Sequence, residues 1–138
     1  MRRLALAGVA GAVLFAGLAG CGTPSKDLFL VERSGEGPGA GLTLLVSDDG
    51  SVRCNGSKPK DMGSKRLIDA RGLEHDLVDQ AGRQREFRPG KNSVLSYTVR
   101  FEDGTISFSD TSPNLPSDLF QLAAFTRELS KQVCRLPR

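Results

Sequence analysis

Val94-Leu95-Ser96-Tyr97-Thr98-Val99-Arg100-Phe101-Glu102-Asp103-Gly104-Thr105-Ile106-Ser107-Phe108-Ser109 is the stretch that decides the fold. Tyr97, Val99 and Phe101 alternate with polar residues before Asp103-Gly104, and Ile106 and Phe108 alternate after it. A period of two sends one set of side chains to one face, and Asp-Gly suits a tight turn. The pattern predicts a hairpin of strands over 94–102 and 105–109. Its apolar face needs a cover.

The cover lies on both sides of the hairpin. Downstream, 111–115 turns the chain and Pro116 opens a helix, with Asp118 where its charge favours the N-terminus. Leu119, Leu122, Ala123, Thr126, Leu129 and Val133 give that helix an apolar face, which Phe120 and Phe125 widen. Upstream, Ser64 is placed to cap a helix running to about Ala81. Leu67, Ala70, Leu77, Val78 and Ala81 share one of its faces, with Ile68 and Leu73 beside it. Gly72 inside this helix costs about 1 kcal/mol. Between helix and hairpin, 82–92 reads as a basic loop carrying Arg83, Arg85, Arg88 and Lys91.

Further out, strands over 42–46 and 51–54 flank Ser47-Asp48-Asp49-Gly50, a second hairpin signal. Leu28-Phe29-Leu30-Val31 reads as a short buried strand, and 34–41 breaks it with four glycines and a proline. Residues 55–63 read as a polar loop. The element order is therefore βββαββα. It predicts an α+β domain over 28–138: a mainly antiparallel sheet of about five strands with two helices packed on one face.

At the head of the chain, Arg2-Arg3 precedes an apolar run from Leu4 to Gly20. That order is a secretory signal peptide. Leu18-Ala19-Gly20-Cys21 resembles the lipobox of bacterial lipoproteins. In that family Leu18, Ala19 and Gly20 would form the signal-peptidase recognition site, and the Cys21 thiol would receive a diacylglyceryl group. The resemblance implies a signal peptide over 1–20, a lipidated cysteine and tether over 21–27, and a domain held on the outer face of the cell membrane. More widely, the chain is similar to small lipoproteins of high-GC Gram-positive bacteria.

With Cys21 assigned to lipid, Cys54 and Cys134 remain as an even pair in an exported chain, and a disulfide between them is expected. The other possibility is two separate buried thiols. Arg2 and Arg3 leave with the signal peptide, so 19 Lys and Arg against 16 Asp and Glu overstates the charge of the mature chain. A nearly neutral domain carries no argument for nucleic acid.

Chemistry is sparse. His75 is the single histidine, within Glu74-His75-Asp76 on a helix, and reads as solvent-facing rather than catalytic. One histidine and two paired cysteines do not make a zinc ligand set, so no metal and no cofactor are expected. Asp110 among Ser107, Ser109, Thr111 and Ser112 offers a single carboxylate, too few for calcium. The expectation is a non-enzymatic binding domain. Arg33, Ser34 and Gly35 at the glycine-rich loop, with Arg83, Arg85, Arg88 and Lys91, are the candidate contacts for a protein or envelope partner. The basic loop is also a candidate for anionic lipid headgroups. Nothing in the sequence fixes an oligomeric state.

The element order also resembles emfourin, a small inhibitor of thermolysin-like metalloproteases. The resemblance rests on Arg33-Ser34-Gly35, Tyr97, Val99, Asp103-Gly104, Pro116, Leu119 and Leu122. It implies the same α+β fold and, as an alternative function, insertion of 33–41 into a protease cleft. The chain departs from that family in its lipid-attachment motif and its cysteine pair.

Overall fold

A computed structural model describes residues 24–137. Leu18, Ala19, Gly20 and Cys21 lie outside the described residues. Six strands form one antiparallel sheet: β1 (Asp27–Gly35), β2 (Leu42–Ser47), β3 (Ser51–Cys54), β4 (Lys60–Asp61), β5 (Leu95–Phe101) and β6 (Gly104–Ser109). Helices α1 (Ser64–Gly82) and α2 (Ser117–Gln132) complete an α+β domain. The sheet order is β4-β3-β2-β1-β5-β6, which makes β1 a central strand.

Alternation explains the layers. Phe29 and Val31 of β1, Leu44 and Val46 of β2, Val99 of β5 and Ile106 of β6 are buried toward the helices. Register aligns them, with Val31 opposite both Leu44 and Val99, and Val99 opposite Ile106. The opposite face carries the half-buried Leu30–Leu45 pair but is otherwise polar, and an Arg100–Glu32 ion pair of 2.9 Å crosses it. A register shift between Asp27 and Phe29 lets consecutive residues Leu28 and Phe29 both be buried. Phe29 then packs against Phe101 and against Phe125 of α2, with ring centroids at 5.6 and 6.3 Å.

Cys54 and Cys134 are joined by a disulfide. It fastens the end of β3 to the chain just after α2, so sheet and helix layers are tied covalently.

Several local expectations are corrected. The loop over 55–63 contains β4, whose Lys60 and Asp61 pair with Val52 and Ser51. Both side chains are exposed, and the pairing is anchored by the next residue, Met62, which is buried and donates its N–H to the Gly50 carbonyl at 3.0 Å. Strand β1 runs on to Gly35, with Ser34 opposite Ser96 and Gly35 opposite Leu95. Ser64 is the first residue of α1 rather than its cap; Gly63 holds the cap position with no side-chain hydrogen bond. Ile68 and Phe120 point outward, 67% and 55% exposed, and the buried stripe of α1 is Ala70, Leu73, Leu77 and Ala81.

The hairpin turn is also displaced by one residue. Phe101 pairs with Gly104, so the turn residues are Glu102 and Asp103. Gly104 is not among the residues with positive φ. It is needed for close approach instead, because a Cβ there would run into the Ala81 carbonyl at the end of α1. Gly104→Ala is expected to destabilise the domain by about 1–3 kcal/mol through this backbone clash. Gly72 has nothing within 4 Å of an added Cβ. Gly72→Ala is therefore expected to stabilise by about 0.5–1 kcal/mol through helix propensity. Urea denaturation of both variants checks the pair of opposite signs.

Candidate functional site

A groove opens between the two helices. Gly72 has no side chain and Ala124 a short one, so α1 and α2 do not close over the sheet. Ile68, Gly72 and Asp76 of α1, one turn apart, face Gln121, Ala124 and Glu128 of α2 across a groove of about 480 Å³. Leu73 and Phe125 form its apolar floor, and both are buried. Phe120 extends the apolar strip one helical turn before Ala124.

The groove wall is acidic. Asp69, Asp76 and Glu128 line it. Asp69 pairs with Lys65 and Glu128 with Arg66, each at 2.7 Å, between partly exposed groups. Such exposed pairs contribute under about 1 kcal/mol and are readily exchanged for an incoming cation. Asp76 has no ion pair among the described residues. Sequence reading missed this groove. Its signal was Ile68-Gly72-Asp76 at helical spacing, an apolar, a missing and an acidic side chain on one line.

The residues expected at the contact surface are scattered. Arg33 is turned inward and 8% exposed. Its guanidinium donates to the carbonyls of Ala40 and Gly39 at 3.0 and 2.7 Å, which holds the glycine-rich turn over 36–41. That turn also packs under Pro137, since a Cβ on Gly39 would meet the Pro137 carbonyl. Ser34 and Gly35 are exposed but are ladder residues of β1, not loop. Arg33 is thus corrected from a surface contact to an internal support.

Arg83, Arg85, Arg88 and Lys91 are all exposed. Their loop runs along the outer edge of β6. Phe87 N–H donates to the Ser107 carbonyl at 2.8 Å, and Ser107 N–H to the Arg85 carbonyl at 3.0 Å. Phe87 packs on the core while the Arg85 guanidinium sits 5.3 Å from its ring centroid. The loop therefore covers an edge strand that would otherwise present open hydrogen-bonding groups. It starts beside α1 and Gly104 and ends where Gly90 abuts Thr111, spanning the length of β6.

His75 is exposed on α1. The carboxylate of Asp110 is occupied by its own fold. It accepts from the backbone N–H of Val94 and of Leu95 at 3.1–3.2 Å and from the Ser93 hydroxyl at 3.0 Å. Among the described residues, no group of three or more His, Cys, Asp or Glu is arranged to hold a metal ion. No helix among them is long and apolar enough to cross a membrane.

The two ends of the strands differ in charge. Where β1 begins, Lys26 bridges Glu102 and Glu74 at 3.0 and 3.5 Å, and its carbonyl accepts from Asp48 N–H at 2.8 Å. Glu102 and then Glu74 raise the Lys26 ammonium pKa, and hydrogen bonds from Ser51 lower that of the Asp49 carboxyl. This end is rich in carboxylates. Where β1 ends, Arg33, Arg127 and Lys131 gather around a second, smaller cavity. No known protein family, curated protein or solved structure matches the chain.

Proposed function

We propose that this chain is an exported, lipid-anchored and non-enzymatic binding domain. It receives a partner protein segment in the groove between α1 and α2. The observation that carries this reading is the groove itself, an apolar floor of Leu73 and Phe125 under an acidic wall. That combination suits a partner segment bearing both apolar and basic side chains. Aromatic and aliphatic anchors fill such grooves, and opposite charge around the rim sets register and encounter rate. The signal-peptide and lipobox sequence supplies the address, on the outer face of the membrane.

A photo-crosslinking residue at Ala124, on the α2 side of the groove, tests this in intact cells; one at Thr43, exposed on the opposite sheet face, is its control. Position 124 should give an adduct whose crosslinked segment carries basic and apolar residues, and position 43 should not. Adding Ile68→Ser and Asp76→Lys should cut the adduct at least about ten-fold, the loss typical of an anchor residue. Equal yield at position 43, an acidic crosslinked segment, or indifference to the two substitutions would overturn the proposal.

A further inference from the structure

Arg33 is an arginine in a core position. It follows Phe29 and Val31 in the inward phase of a central strand. A guanidinium has five N–H donors. Two are used by the Ala40 and Gly39 carbonyls and the Tyr97 hydroxyl stands next to the guanidinium, which leaves further donors for a ligand. No carboxylate among the described residues pairs with its charge. A buried cation without a counter-charge is costly, so a site of this kind favours an anion from outside.

The cavity beside Arg33 has room for one. It measures about 230 Å³ and is also lined by Glu36, Arg127 and Lys131. Arg127 and Lys131, four residues apart, stand on one face of α2. Neither has an ion pair among the described residues. Three cations line the cavity against the Glu36 carboxylate, with Asp110 behind the lining backbone of Val94 and Leu95, so positive charge is in excess. A phosphate group, at about −1.5 to −2 near neutral pH, brings more charge and more acceptor oxygens to it than a carboxylate does. Burial raises the pKa of the Tyr97 phenol, while Arg33 and Arg127 draw it back down. Both cations therefore act on one buried hydroxyl beside the cavity.

We infer that this cavity binds a phosphate group, with Arg33 fixed by backbone carbonyls as the inner donor and Arg127 and Lys131 closing the outer side. The phosphate arrives either as the free ion or as the monoester of a larger ligand. Arginine in a held orientation suits forked hydrogen bonding to phosphate oxygens, and the lysine adds a point charge. This site is separate from the helical groove and does not rest on the function proposed for it.

The test uses the folded domain at constant ionic strength, with inorganic phosphate, glycerol 3-phosphate, acetate and chloride as probes. Phosphate should raise the melting temperature above chloride and shift the backbone amide resonances of Arg33 and Gly39. Arg127→Gln with Lys131→Gln should weaken phosphate binding at least ten-fold, while Arg88→Gln with Lys91→Gln should leave it unchanged. Binding of glycerol 3-phosphate as tight as inorganic phosphate supports a monoester ligand; binding of the free ion alone supports a phosphate site. The inference is overturned if phosphate acts no differently from chloride or acetate. Undiminished binding by the Arg127/Lys131 variant would overturn it as well.

Discussion

A chain with Cys54→Ala and Cys134→Ala is expected to lose about 4–5 kcal/mol of stability, the largest loss of any pair of substitutions considered for this domain. The bond joins residues 80 apart in sequence. In the chain-entropy account, a closed loop of that length removes enough freedom from the unfolded chain to give this figure. Domains of this size are stable by about 5–15 kcal/mol, so the loss is roughly a quarter of the total or more. The site makes the bond mechanically useful too. Cys54 stands opposite Leu44, and Cys134 follows α2 with its N–H on the Leu129 carbonyl. Without the bond, the end of α2 is held by Leu129 and Leu136 against the core, by the Glu128–Arg66 ion pair and by Lys60 on the Val133 carbonyl. Urea denaturation of the variant, and of the parent with reductant, should give the same lowered midpoint. A loss below about 1 kcal/mol in both would show that this end of the fold is held by packing alone.

The parts of the fold legible in the sequence are those where one period dominates. Tyr97, Val99 and Phe101 alternate cleanly because the hairpin has one wet face and one dry face, and both strands follow from that. The cysteine pair was legible by elimination, once Cys21 had been assigned to lipid. Strand β4 was not legible, since Lys60 and Asp61 are held by backbone pairing and bury no side chain. Helical periodicity located both helices but not the width of their buried stripes. Ile68 and Phe120 look like core residues on a helical wheel; only the packed structure shows that both stand outside the buried stripes. The groove depends on the spacing of α1 from α2, so neither helix announces it alone. Arg33 is different. Its inward phase after Phe29 and Val31 was readable, but an arginine in that phase is easily taken for the edge of a loop.

Cys21→Ala is expected to abolish membrane retention of the domain, the second large effect. In the proposed lipoprotein, two or more acyl chains on Cys21 hold the protein far more firmly than one chain would. Alanine removes the sulfur that would accept the diacylglyceryl group, so membrane fractions should lose the mature form. The chain should then be released or should persist as a precursor longer by residues 1–20. The domain itself should be unaffected, because the chain entering β1 is clamped at Lys26 by Glu74, Glu102 and Asp48 N–H. Lys26 is five Cα–Cα steps from Cys21, a reach of at most about 18 Å when extended. Such a tether would hold the carboxylate-rich end, with Asp48, Asp49 and Glu102, toward the membrane. The cavity of Arg33, Arg127 and Lys131 would then face away from it. Anionic headgroups would repel the near end rather than draw it down, leaving attachment to depend on lipid alone. Fractionation and detergent phase partitioning of the Cys21→Ala chain decide the matter. Membrane retention of a chain processed at Gly20 would mean that something other than lipid on Cys21 holds it there.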